Sequence, residues 1–127
     1  MNTVEKGDLA VAMLTARFLR SRFVVLKPIS DGLRFDLVIN RGNGFETVQC
    51  KSASIRLGCV TFGSCSSRDG KPYRGEADLF GVYCAANDTC YLVPVDDVGL
   101  RHGYLRVERP RNGQRSRVRY AEKYIVS

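Results

Sequence analysis

No stretch of the 127 residues approaches the roughly 20 consecutive apolar positions that cross a bilayer, so no membrane-spanning helix is expected. The opening Met1-Asn2-Thr3-Val4-Glu5-Lys6 lacks the basic, apolar, then small-residue order of a secretion signal, which points to the cytoplasm. Histidine occurs once, as His102 in the turn-like Gly99-Leu100-Arg101-His102-Gly103, where it reads as a solvated loop residue. Any Ser-His-Asp or Cys-His mechanism would have to use it. The five cysteines are an odd number without an export signal, so free thiols are expected rather than a disulfide framework. Their spacings, Cys59-x5-Cys65 and Cys84-x5-Cys90, are wider than the usual paired ligands of structural zinc. The aromatic signature of the common RNA-reading sheets is missing, and no internal repeat is visible.

What is present is enough for one folding unit: 44% apolar residues over a length typical of a single domain, 1–127. Arginine dominates the charge. It supplies fifteen of the twenty bases, and of the net +7 about six charges fall in residues 101–127. Guanidinium groups grip phosphate bidentately and read guanine, so an Arg-rich C-terminal segment suits a nucleic acid better than an acidic protein. A solvated basic tail is the plainer alternative.

Along the chain, Val4 to Phe23 reads as a helix with an apolar stripe at Leu9, Ala12, Met13, Ala16 and Leu19 and a capping box at Asn2-x-x-Glu5. Phe23 to Lys27 reads as a strand closed by Pro28. Arg34–Asn40 and Phe45–Ser52 form a hairpin around Arg41-Gly42-Asn43-Gly44, and Gly58–Phe62, Asp78–Cys84 and Cys90–Val95 add strands. The polar Ser64 to Arg74 reads as a mobile loop. One early helix and a strand-rich remainder give an α/β or α+β fold, a mixed sheet with the N-terminal helix packed on it.

A four-residue turn at 41–44 pairs Asn40 with Phe45 and sets Asp36 opposite Gln49, with Lys51 as a diagonal neighbour on the same face. A carboxylate, an amide and an amine then converge. An Asp in an apolar strand and a Lys beside it are costly unless they pair or bind something. Two readings stay open here: an Asp36 to Lys51 ion pair that holds register, or a site.

At Phe35-Asp36-Leu37-Val38 and Val48-Gln49-Cys50-Lys51 the sequence resembles the PD-(D/E)XK nuclease superfamily, in particular the small branch with Gln in the second position that includes bacterial intron-encoded homing endonucleases. Lys6-Gly7-Asp8-Leu9-Ala10, Ala77 to Tyr83, Tyr91 to Val95 and Val118-Arg119-Tyr120-Ala121 extend the resemblance along nearly the whole chain. It implies a restriction-endonuclease-like core with a basic C-terminal extension, and metal-dependent hydrolysis of double-stranded DNA at specific sites. The implied cofactor is Mg²⁺, with Mn²⁺ able to substitute, and no small-molecule cofactor. Asp36 and the Cys50 carbonyl would be its ligands, Gln49 a weak ligand or water-positioning amide, and Lys51 the group that orients or activates the nucleophile. The family glutamate of the first helix matches Val11, which can neither bind metal nor take a proton. Glu5 or Asp8 substitutes, the site works with fewer acids, or the chain is catalytically impaired; the last is favoured, because metal affinity follows ligand charge.

The expected DNA contacts are Arg68, Lys71 and Arg74 in the polar loop and Arg111, Arg115, Arg117 and Arg119 in the tail. A chain this short covers a long site only as a symmetric homo-oligomer, dimer or tetramer. An inactive DNA-binding module and a Holliday-junction-type resolvase are the alternative functions.

Overall fold

The computed structural model describes residues 1–108 and 118–127. Helix α1, Thr3–Arg20, starts where the sequence places its cap: Asn2 Oδ1 accepts from the Glu5 N–H at 2.8 Å, and Glu5 Oε1 accepts from the Asn2 N–H at 3.1 Å. The helix ends three residues earlier than its apolar pattern suggests. Ser21 caps it, and Arg22 turns the chain with φ 66°. Its buried face is also shifted from the expected stripe, running through Ala10, Leu14 and Phe18 while Ala12, Ala16 and Leu19 face solvent. The large Leu14 and Phe18 fill the interface in a way two alanines cannot.

Seven strands follow: β1 Val24–Leu26, β2 Leu37–Asn40, β3 Phe45–Arg56, β4 Cys59–Gly63, β5 Leu79–Cys84, β6 Thr89–Pro94 and β7 His102–Arg106. The long β3 organises them. On one edge its first residues pair antiparallel with β2, and its last three, Ser54–Arg56, pair antiparallel with β4. Its other edge pairs parallel with β5 from Val48 to Ala53. β1 extends β2, β6 extends β5, and β7 extends β4, so two sheets share β3 as their common strand. The mixed α+β architecture expected from sequence is the one observed.

Alternation along the strands builds a core on each face. On the α1 side, Ala10, Leu14 and Phe18 pack on Leu37, Ile39, Val48 and Leu92. On the other, Phe62, Tyr73, Phe80, Val93 and Leu105 pack together, with Phe80 in edge contact with both Phe62 and Tyr73. Three expectations change. The Gly-rich segment around His102 enters strand β7, because alternating Gly103 and Leu105 face the core. β3 runs four residues further than expected, to Arg56. The Ser64–Arg74 segment, expected as a mobile loop, carries fastening contacts of its own, a Cys65 to Pro72 bridge and Tyr73, only 6% exposed.

Gly103 is there because Phe62 occupies the space above it: a Cβ at this position would meet the Phe62 ring at Cζ, Cε1 and Cε2. Gly103→Ala is expected to lower unfolding free energy by about 1–3 kcal/mol through overpacking. A thermal melt superimposable on the parent's would show that the ring gives way at no cost.

Candidate active site

The register of the central hairpin is the one the sequence specifies, with Asn40 opposite Phe45 and Leu37 opposite Val48. There the ladder stops. Asp36 does not sit across from Gln49 in a continued pair; its N–H donates instead to the Val48 carbonyl at 2.8 Å, and its carboxylate swings across the strand. Asp36 Oδ2 accepts from the Cys50 N–H at 2.9 Å. Since β2 ends at Leu37 and β4 begins pairing at Ser54, residues 49–53 of β3 have no strand partner on that edge. The result is a notch in the sheet, and the Asp36 carboxylate lies in it.

Backbone polar groups of one residue leave a strand on the same side. The Cys50 carbonyl therefore faces the notch alongside its N–H. Its side chain goes the other way, into the α1-side core, where burial, with Asp36 second, pushes the thiol pKa far up. Cys50 contributes backbone only. Gln49 and Lys51, one residue to either side, turn to the opposite face of the sheet, both half-buried.

Lys51 Nζ donates to the Cys65 carbonyl at 3.3 Å and lies 4.8 Å from the centroid of the Tyr73 ring. Among the described residues it makes no ion pair with Asp36; the ion pairs there are Arg34 with Glu76, Arg41 with Glu46 and Arg74 with Asp96. The register-holding reading of Asp36 and Lys51 therefore lacks its contact. Burial pushes the Lys51 ammonium below its ordinary pKa; the nearby Cys65 and Asp36 oppose that, and Arg34 adds to it. The unfolded chain then holds its proton up to a higher pH than the folded chain, so stability rises with pH between the two values. Below the folded pKa the buried charge is a constant cost. Lys51→Met is accordingly expected to melt at a higher temperature than the parent at neutral pH, an advantage that shrinks toward about pH 10. Melts showing the opposite order would mean the Cys65 and Tyr73 contacts outweigh burial.

One residue that sequence reasoning missed, Arg34, completes the site together with Tyr73. The Arg34 guanidinium stacks 4.0 Å from the Tyr73 centroid, donates to the carbonyls of Lys71 (3.0 Å) and Pro72 (2.8 Å), and pairs with Glu76. Arg34 thus ties the Ser64–Arg74 loop to the strand entry that carries Asp36, and Tyr73 touches both cations. Only the basic-aromatic pattern Lys71-Pro72-Tyr73-Arg74 hinted at this. Val11 is half-buried on α1 and packs against the core that contains Cys50, while Asp8 and Glu5 are exposed. Glu5 is already used in the helix cap.

The oxygen donors at the notch fit a hard divalent cation. Asp36 Oδ1 has no hydrogen-bond partner among the described residues, the Cys50 carbonyl faces the same notch, and the amide of the adjacent Gln49 would be a neutral third oxygen. Among the described residues no three His, Cys, Asp or Glu side chains gather, so the set carries a single negative charge. Of the expected DNA contacts, Arg68 and Lys71 are exposed at the loop tip, and Arg119 is exposed beside the end of β7. Arg74 donates to the Val98 carbonyl at 2.8 Å and lies 3.9 Å from Asp96. Arg111, Arg115 and Arg117 lie outside the described residues. No described helix is long and apolar enough to cross a membrane.

The family model described as PD-(D/E)XK endonuclease matches residues 1–127. Among solved structures, a bacterial homing endonuclease, I-Ssp6803I, superposes with a TM-score of 0.70 at 28% identity, over 98% of this chain and 86% of that one. Comparison with curated proteins gives no match.

Proposed function

The chain belongs to the PD-(D/E)XK endonuclease family, and from that premise we propose that it is a divalent-metal-dependent endonuclease that cuts double-stranded DNA at specific sites in a homing role. The observation that carries this reading is the notch: one carboxylate and one backbone carbonyl at an unpaired strand edge, with an amine and an amide from the same strand beside them. Asp36 and the Cys50 carbonyl would hold Mg²⁺, or Mn²⁺ in its place, with Gln49 a weaker donor. Bound there, the ion would neutralise charge on the scissile phosphate. Lys51 orients the attacking water and offsets the charge that develops on the phosphate oxygens. Arg34 and Tyr73 keep that amine in place. Arg68 and Lys71, with the arginines of 101–127, attach the duplex, and a symmetric oligomer carries enough copies of this nuclease domain to cover a long site.

Val11 favours a second reading, an inactive DNA-binding module on the same fold, because it leaves the site one carboxylate short. One experiment separates the two: incubation of a randomised duplex library with Mg²⁺ or with EDTA, using the chain and its Val11→Glu form. Cleavage that EDTA stops, in either form, supports the nuclease. Duplex binding without cleavage by either form gives the module reading the lead.

A further inference from the structure

Apart from Arg106, which belongs to the basic segment 101–127, the outer face of the second sheet has no role assigned above, and its composition is unusual for an idle surface. Residues of β3, β4 and β7 that face away from the core form two cross-strand rows, Ser54–Thr61–Tyr104 and Arg56–Cys59–Arg106, followed by the pair Gly63–His102. The middle strand carries small side chains, and the long ones, Arg56, His102, Tyr104 and Arg106, come from the flanking strands. Nothing described packs over this face: Tyr104 is 55% exposed, and Arg56 and His102 are exposed as well. The His102 and Tyr104 rings stack on each other, with centroids 6.0 Å apart. No strand position in these rows is acidic; Glu108 lies at the corner beside Gly58 and Arg106.

The hairpin tip that closes β3 to β4 is odd in a second way. Leu57 and Gly58 both have positive φ, 49° and 75°, the geometry of a two-residue turn that favours Asn-Gly. Leucine here is strained and 96% exposed, so it contributes nothing to folding. Next to it Arg106 Nη1 donates to the Leu57 carbonyl, and the Arg106 N–H is held by the Arg119 carbonyl at 2.7 Å. Basic and apolar groups therefore continue from the face to its tip.

Resting on the nuclease reading above, we propose that the β4–β7 ribbon, with the Arg56-Leu57 tip, is a duplex-reading surface that enters the DNA major groove. The face is three strands wide at its tip, β3–β4–β7, and the side chains that project from it offer the contacts that base edges in that groove accept. Arg56 binds phosphate or guanine, Thr61, His102 and Tyr104 bond base edges, and Leu57 packs on thymine methyl groups. β3 carries both regions, with Gln49 and Lys51 on one face at the notch and Ser54 and Arg56 on the other at the tip.

The test is duplex binding by fluorescence anisotropy in EDTA, on sequences selected by the unmodified chain, for Arg56→Ala, Tyr104→Ala and Leu57→Asn, with a salt titration and a thermal melt of each. Arg56→Ala is expected to weaken binding roughly tenfold, and to flatten the slope of log affinity against log salt by about 0.9 if its contact is to phosphate. Tyr104→Ala should relax base preference. Leu57→Asn is the sharpest arm, because it should raise the melting temperature while lowering affinity, a combination a merely structural role does not produce. If the unmodified chain binds duplex and all three variants match it in affinity, slope and preference, the ribbon is not the reading surface, whatever becomes of the nuclease. A changed oligomeric state with unchanged binding likewise overturns it, in favour of a protein interface. An unmodified chain that binds no duplex removes the nuclease reading and the ribbon proposal together.

Discussion

Alanine at Lys51 is expected to slow duplex cleavage by about 10²–10⁴-fold, the range a positioned proton-transfer group commands, while affinity for uncut duplex stays nearly unchanged. The separation follows from the contacts. Lys51 is not paired with Asp36; its amine rests on the Cys65 carbonyl and the Tyr73 ring, and the loop that supplies both is held independently by Arg34. On the proposed mechanism, removing the amine therefore deletes chemistry without releasing the loop. Single-turnover cleavage in Mg²⁺ and anisotropy in EDTA measure the two quantities, in the Val11→Glu background if the parent cuts too slowly. A large loss of binding would make Lys51 part of the scaffold.

The second large effect has the opposite sign. Val11→Glu should raise apparent metal affinity by about tenfold to a hundredfold, the range a single supporting carboxylate commands at metal sites, with a matching gain in cleavage at limiting Mg²⁺. The present donors carry one negative charge, the lower end of the one or two carboxylates that, together with substrate phosphate, usually hold a divalent ion without all-protein ligation. Isothermal titration with Mn²⁺ reads the affinity without relying on turnover. Equal affinities would show that position 11 does not reach the ion, and would turn attention to Asp8. A lower melting temperature is the expected cost, because Val11 packs against the core and a carboxylate there loses water.

Much of this was legible in the sequence where short-range rules decide. Asn2 and Glu5 specify the start of α1, and the four-residue turn at 41–44 specifies the register that brings Asp36 toward β3. Long-range packing was not legible. Gly99 to Gly103 reads as a turn because its glycines look like chain breakers, whereas the missing side chain of Gly103 makes room for Phe62 from a neighbouring strand. The loop before Arg74 reads as mobile because its residues are polar, yet Tyr73 anchors it in the core. Arg34 could not be singled out, since its partners Lys71, Pro72 and Glu76 lie about forty residues away in sequence. The departure of Asp36 from the ladder has the same origin: alternation predicts the face of a residue inside a strand, and the strand ends one residue too soon.

On the proposed mechanism, that early ending gives Asp36 two jobs that natural selection sees differently. By accepting the Cys50 N–H, the carboxylate stands in for a missing strand neighbour at the sheet edge. A descendant that ceased to cut DNA would be free to drift at Lys51, and at position 11 with respect to the metal, but replacing Asp36 would still leave an amide of β3 without its partner. Persistence of this aspartate across a lineage would thus be weak testimony that the lineage still cleaves, and the lysine two positions beyond Gln49 would be the better witness.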